Sequence, residues 1–252
     1  MSQPAFLETP QGRRLAYHLT EGRGPCTVFL GGLKSDMQGT KAVFLEEWAR
    51  REGHAFLRFD YSGHGDSSED FTGGCIGDWA QDTLAAVTAL TRDKIVPVGS
   101  SMGGWQSLLL CRAMPERIAG LVTIAAAPDF TEDGYWASFT DRQKQQLQDE
   151  GKVELPSDYM EPYVITRRMI EDGREQLVLR TPLSLPFPVR FLQGTADTAV
   201  SVATAVKLLE HAQGPDMQLQ LVKNADHRFS DPSCLALMIQ ALEDVFSSPA
   251  NA

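Results

Sequence analysis

The sequence predicts an α/β protein: a mostly parallel, eight-stranded sheet with helices on both faces. Three observations lead there. Short apolar runs closed by glycine or aspartate alternate with stretches of helical period. The runs lack a polar face, as strands covered on both sides of a sheet must. The alternation breaks once, over residues 128–186, and then resumes.

Each element follows in order. Residues 5–8 and 13–19 flank Pro10-Gln11-Gly12 and read as a hairpin of antiparallel edge strands. Residues 27–30, Thr-Val-Phe-Leu, are a buried strand stopped by Gly31-Gly32. Residues 41–51 place Val43, Phe44, Trp48 and Ala49 near helical spacing. Residues 55–59 are the next buried strand, ending at Asp60 and a turn-rich stretch. Residues 76–90 put Ile76, Trp79, Leu84 and Val87 on one helix face. A strand over 94–99, despite Pro97, leads to a helix over 102–113 and a very apolar strand over 118–126.

The interruption, 128–186, is polar and helical in patches, at 137–150 and 157–171. Trp136, Phe139, Tyr159, Met160, Tyr163 and Met169 punctuate it. It reads as a helical cap inserted into a core formed by 1–127 and 187–252. Strands at 189–192 and 218–222 and helices at 202–211 and 232–246 complete that core.

Composition narrows the function. Hydrophobic residues make up 42% and charged residues 22% of the 252, which fits a soluble globular protein. A formal net charge of −10 repels phosphates, so neither nucleic acid nor an anionic membrane is expected as partner. No apolar run reaches the roughly 20 residues that span a bilayer, so no stable membrane insertion is expected. The first residues resemble neither a signal nor a transit peptide, and a cytoplasmic location is expected. Cys26, Cys75, Cys111 and Cys234 match no metal spacing and read as small buried hydrophobes.

Gly99-Ser100-Ser101-Met102-Gly103 carries the chemistry. G-x-S-x-G between an apolar strand and an apolar helix is a nucleophile turn. The flanking glycines let neighbouring elements approach, and the hydroxyl stands at a helix N-terminus that favours developing negative charge. The glycine spacing selects Ser101 over Ser100. A serine needs a base to take its proton. His227 follows the last strand and so falls at the sheet edge of the nucleophile. His18, His54 and His211 read as structural or solvent-facing; His64, on a loop after a strand, is a minor candidate for substrate contact and not for the base. The acid that orients the histidine is Asp197, after the strand at 189–192. Asp129, after the strand at 118–126, competes for that role. Asp226 is too close in sequence to His227, and Asp60 braces the loop that follows it. The oxyanion hole takes two backbone N–H donors: Met102, after the nucleophile, and Leu33, after Gly31-Gly32. Such a mechanism calls for no metal and no organic cofactor.

The order Ser101, Asp197, His227 resembles the alpha/beta-hydrolase superfamily over essentially the whole chain. Gly39-Thr40-Lys41-Ala42, Arg58-Phe59-Asp60-Tyr61-Ser62-Gly63, Gly99-Ser100-Ser101-Met102-Gly103-Gly104-Trp105 and Asp226-His227-Arg228 together resemble the alpha/beta-hydrolase domain-containing protein 10 group. That resemblance implies a thioesterase or esterase acting on a small-molecule or acylated-protein substrate, since the group comprises mitochondrial palmitoyl-protein thioesterases that also cleave acyl-glucuronides. Many superfamily relatives carry His-Gly where this chain has Gly31-Gly32. The absence of a transit-peptide pattern leads us to expect a bacterial or otherwise non-mitochondrial relative. A serine peptidase and a non-catalytic binder on the same fold are the alternatives.

Overall fold

The computed structural model describes residues 3–155 and 162–248. In chain order the elements begin with β1 (Ala5–Glu8), β2 (Arg14–Thr20), β3 (Arg23–Leu30), α1 (Thr40–Glu52) and β4 (His54–Phe59). They continue with α2 (Ile76–Leu90), β5 (Ile95–Ser100), α3 (Met102–Ala113) and β6 (Leu121–Ile124). The stretch that breaks the alternation holds α4 (Asp141–Glu150), β7 (Lys152–Leu155), β8 (Tyr163–Thr166), α5 (Arg167–Glu175) and β9 (Leu183–Ser184). The chain closes with β10 (Val189–Gly194), α6 (Val202–His211), β11 (Ala212–Gln213), β12 (Met217–Val222) and α7 (Pro232–Phe246).

Eight strands form one sheet in the order β1-β2-β4-β3-β5-β6-β10-β12. β2 pairs antiparallel with β1 and β4, and every other pairing in the sheet is parallel. Successive side chains of a strand point to opposite faces, and the two faces divide the core accordingly. Val28 and Leu30 of β3 join Trp79 of α2 and Leu108 of α3 in one cluster. Phe29, between them, joins Trp48 of α1 and Met238 of α7 in the other. Burying both faces is why these strands carry no polar alternation.

Pro97 sits inside a central strand because of a gap in its neighbour. It falls between the isolated Ile95–Ile118 bridge and the ladder with β6, which starts at Val98–Val122. β6 itself is shorter than the apolar run 118–126, because Ala125 turns to φ 49° and ends it.

The interruption differs from the sequence expectation in two places. Of the helix expected over 157–171, residues 157–161 lie outside the described residues, including Tyr159 and Met160. β8 follows, paired antiparallel with β7. Val164, Ile165 and Thr166 are β-branched and favour that pairing over helix. The helix starts only at Arg167, where Thr166 Oγ1 accepts from Met169 N at 3.1 Å. The helix expected over 137–150 breaks at Thr140, whose capping box with Gln143 starts α4. Before it runs a seven-residue π-helix, Phe130–Trp136.

Candidate active site

β3, β5, β6, β10 and β12 all end at one edge of the sheet, so the loops that follow them converge there. Ser101 stands between β5 and α3 with φ 57° and ψ −119°, a strained conformation for a residue with a side chain. The surrounding backbone enforces it. Ser101 N donates to Ile124 O at 2.9 Å, and Ser101 O accepts from Ala127 N at 3.1 Å. A Cβ on Gly103 would lie 1.9 Å from Leu30 O, and one on Gly99 would lie 2.2 Å from Gly103 O. Only hydrogen at these positions lets α3 start against β3.

His227 comes from the loop after β12. Its Nε2 lies 3.1 Å from Ser101 Oγ and its Nδ1 lies 2.8 Å from Asp197 Oδ2. Asn224 at φ 64° and Phe229 at φ 51° bend this loop, and Phe229 is buried at its far end. Asp226 is engaged elsewhere than the imidazole: its Oδ1 accepts from Phe229 N at 3.1 Å.

The Asp197 side chain is fully shielded from solvent. Its Oδ1 accepts from Ala199 N and Val200 N, both at 2.8 Å, and its Oδ2 from Gln193 Nε2 at 3.0 Å. Burial pushes this carboxyl up. The bonds from His227 and the two backbone N–H groups outweigh that and hold it below the usual carboxylate range. Gln193 escaped the sequence reading, because an amide inside a buried strand carries no signal of what it faces.

The structure thus brings Ser101, His227 and Asp197 into one hydrogen-bonded chain and leaves Asp129 out of it. Asp129 Oδ1 accepts from Val178 N at 2.8 Å, and its Oδ2 from Leu179 N at 3.0 Å and Arg180 Nη1 at 3.2 Å. Its work is to tie the far end of the interrupting stretch to the end of β6. His64 does not border the site. It is buried in an edge-to-face cluster with Tyr61, Phe71 and Trp79, and desolvation lowers its pKa to about 4. Asp60 braces its loop as expected, taking Asp66 N at 3.0 Å, and also holds Met37 N at 2.6 Å.

Leu33 and Met102 both line a cavity of about 800 Å³ that opens over Ser101. The turn bearing Leu33 runs close by: a Cβ on Gly32 would stand 3.4 Å from Ser101 Cβ. One wall is apolar and aromatic, with Phe130, Tyr135, Tyr163 and Leu179 from the interrupting stretch. The other is polar, with Asp36, Lys41, Asp226 and Arg228. Phe139 is not part of the wall; it is buried behind Tyr135, with ring centroids 6.4 Å apart. Among the described residues, no helix is long and apolar enough to cross a membrane.

Comparison with known proteins bears on the family and the fold. The mitochondrial palmitoyl-protein thioesterase ABHD10 of Rattus norvegicus is 32% identical over 243 residues, covering 96% of this chain and 82% of the relative. Its Homo sapiens counterpart is 31% identical, covering 96% of this chain and 79% of the relative. The structure of alpha/beta hydrolase domain-containing protein 10 from mouse superposes with a TM-score of 0.90 at 30% identity, over 97% of this chain and 98% of that one. A profile of the alpha/beta hydrolase family matches residues 31–240. The chain belongs to the alpha/beta hydrolase family, and its activity is that of a hydrolase.

Proposed function

We propose that the chain is a serine hydrolase that cleaves carboxylic esters or thioesters through an acyl-enzyme on Ser101. The observation that carries this is the unbroken run of hydrogen bonds from Asp197 through His227 to Ser101 Oγ, at 2.8 and 3.1 Å. Ser101 Oγ attacks the carbonyl carbon while His227 Nε2 takes its proton. The N–H groups of Met102 and Leu33 receive the oxyanion. The imidazolium then protonates the departing thiol or alcohol. Water, losing a proton to the same nitrogen, opens the acyl-enzyme and returns Ser101. Asp197 fixes the imidazole and stabilises its charge throughout. Residues 128–186 act as the cap: their aromatic wall takes the acyl chain, and the polar wall faces the leaving group. Kinship with enzymes named palmitoyl-protein thioesterases favours a thioester.

The experiment is turnover of matched acyl esters, acyl thioesters and peptide amides of several chain lengths, with a fluorophosphonate-blocked sample beside each. Probe-sensitive turnover of long-chain thioesters is expected. Exclusive turnover of amides would replace the esterase reading with a peptidase. No turnover and no labelling at Ser101 would leave a binding protein on a hydrolase fold.

A further inference from the structure

In the mechanism above, the segment Gly39-Thr40-Lys41-Ala42 contributes only to the polar wall of the cavity, yet Lys41 also reaches the loop that carries His227. It is the second residue of α1, and its Nζ donates to the carbonyl oxygen of Arg228, 187 residues further along the chain. Arg228 directly follows His227. On the other side of the histidine, Asp226 is the carboxylate whose charge acts on Lys41.

Keeping a lysine here is costly in three ways. Partial burial removes some of the water around the ammonium and, with Arg228 as a like-charged neighbour, lowers its pKa to about 8 against the pull of Asp226. The positive end of the α1 dipole disfavours a cation in the first turn. The side chain also gives up most of its rotamer freedom to reach one carbonyl. A solvated lysine on a helix surface would bear none of these costs.

We propose that Lys41 is a positioning residue that holds the loop at the peptide following His227 and so sets the reach of Nε2 to Ser101 Oγ. The loop is anchored at its two ends, upstream where Asn224 N donates to Thr195 Oγ1 at 2.9 Å and Ala225 O accepts from Ala196 N at 3.0 Å, and downstream by buried Phe229; Lys41 adds a hold between them, at the peptide next to the histidine. The ammonium fixes the peptide next to the histidine and ties it to α1, a helix packed on the sheet. A small neutral ester offers no charge to the polar wall, so in that assay Lys41 acts through the loop, and its removal slows chemistry and leaves binding nearly unchanged.

This rests on the serine-hydrolase reading. The test is kcat and KM of Lys41→Met, Lys41→Arg and wild type on a small neutral ester, with kcat expressed per active site titrated by a fluorophosphonate. Ser101→Ala runs in the same assay. Misplacement of a reacting group by about an ångström costs on the order of 100-fold. Lys41→Met is therefore expected to lose about 10- to 100-fold in kcat per titrated site with KM within about threefold, and Lys41→Arg to recover part of the loss. A Lys41→Met enzyme at wild-type kcat beside a dead Ser101→Ala overturns the proposal alone. A change confined to KM overturns it too, because that is a binding role. Should Lys41→Met fail to fold, Lys41→Gln takes its place; if neither folds, the lysine is structural and the proposal falls. Turnover by Ser101→Ala overturns the reading beneath it.

Discussion

Asp197 Oδ2 lies 2.8 Å from His227 Nδ1, and the rest of that carboxylate is held by Gln193, Ala199 and Val200. Asparagine would fit the space but present the wrong partner to Nδ1. Asp197→Asn is expected to lower kcat by on the order of 10⁴, as in other serine triads. Asp129→Asn is expected to spare kcat per folded molecule and to cost about 1–3 kcal/mol, because the buried N–H groups of Val178 and Leu179 lose a charged acceptor. Steady-state kinetics and urea denaturation of both variants separate the two carboxylates. Reversed outcomes would make Asp129 the acid.

Ser101 combines its proposed chemistry with backbone strain, and substitution separates them. Ser101→Ala is expected to lose about 10⁴- to 10⁶-fold in kcat while staying folded. Ser101→Gly should be as inactive, yet more stable than the alanine variant by about 1–3 kcal/mol, because glycine adopts φ 57° without a clash. Denaturation curves of the two dead variants check this. Equal stabilities would mean that the turn is relaxed.

Acyl preference is expected to follow the rings that face the cavity. Tyr135→Ala should shift turnover toward longer or bulkier acyl chains, since Tyr135 forms part of the wall. Phe139→Ala should lower stability by about 3–5 kcal/mol with the chain-length profile unchanged, because Phe139 is buried behind that ring. A matched series of acyl esters resolves the difference. A shifted profile in Phe139→Ala alone would reverse the assignment.

Asp60 makes stability depend on pH. Burial lifts its carboxyl from 3.8 to about 6, although the Asp66 and Met37 N–H groups pull the other way. The folded chain therefore binds this proton more tightly than the unfolded chain. The resulting stabilisation is present below the unfolded pKa and is lost as pH rises through about 6. Relative to Asp60→Asn, which does not titrate, the wild type should gain stability as pH falls from about 7 to about 4. Chemical denaturation at several pH values measures the difference. A constant difference would mean that Asp60 stays ionised throughout.

Much of this was legible in the residues. Helices 76–90, 102–113, 202–211 and 232–246 stand where their apolar period places them, because each buries one continuous face against the sheet. The meeting of Ser101 and His227 was legible because glycine spacing and strand order bring both to one sheet edge. Asp197 and Asp129 both follow sheet strands, and the sequence alone weighs rather than decides between them; only the paths of the loops show which carboxylate meets the imidazole. The interrupting stretch was the least legible. Its apolar residues are sparse, so periodicity is weak, and the pairing of β7 with β8 is tertiary. Lys41 was hidden for a related reason: a lysine in a first helical turn reads as solvated until a loop 187 residues away closes over it.

The strand order also governs when the protein first becomes competent during synthesis. Ser101 and His227 are 126 residues apart, and His227 is carried by the loop after β12, the outermost strand on its side of the sheet. The serine turn, built from β3, β5 and β6, leaves the ribosome long before its base. A nascent chain that ends short of Val222 lacks the histidine that we propose takes the serine's proton. On the proposed mechanism, reactivity arrives only when the last strand docks.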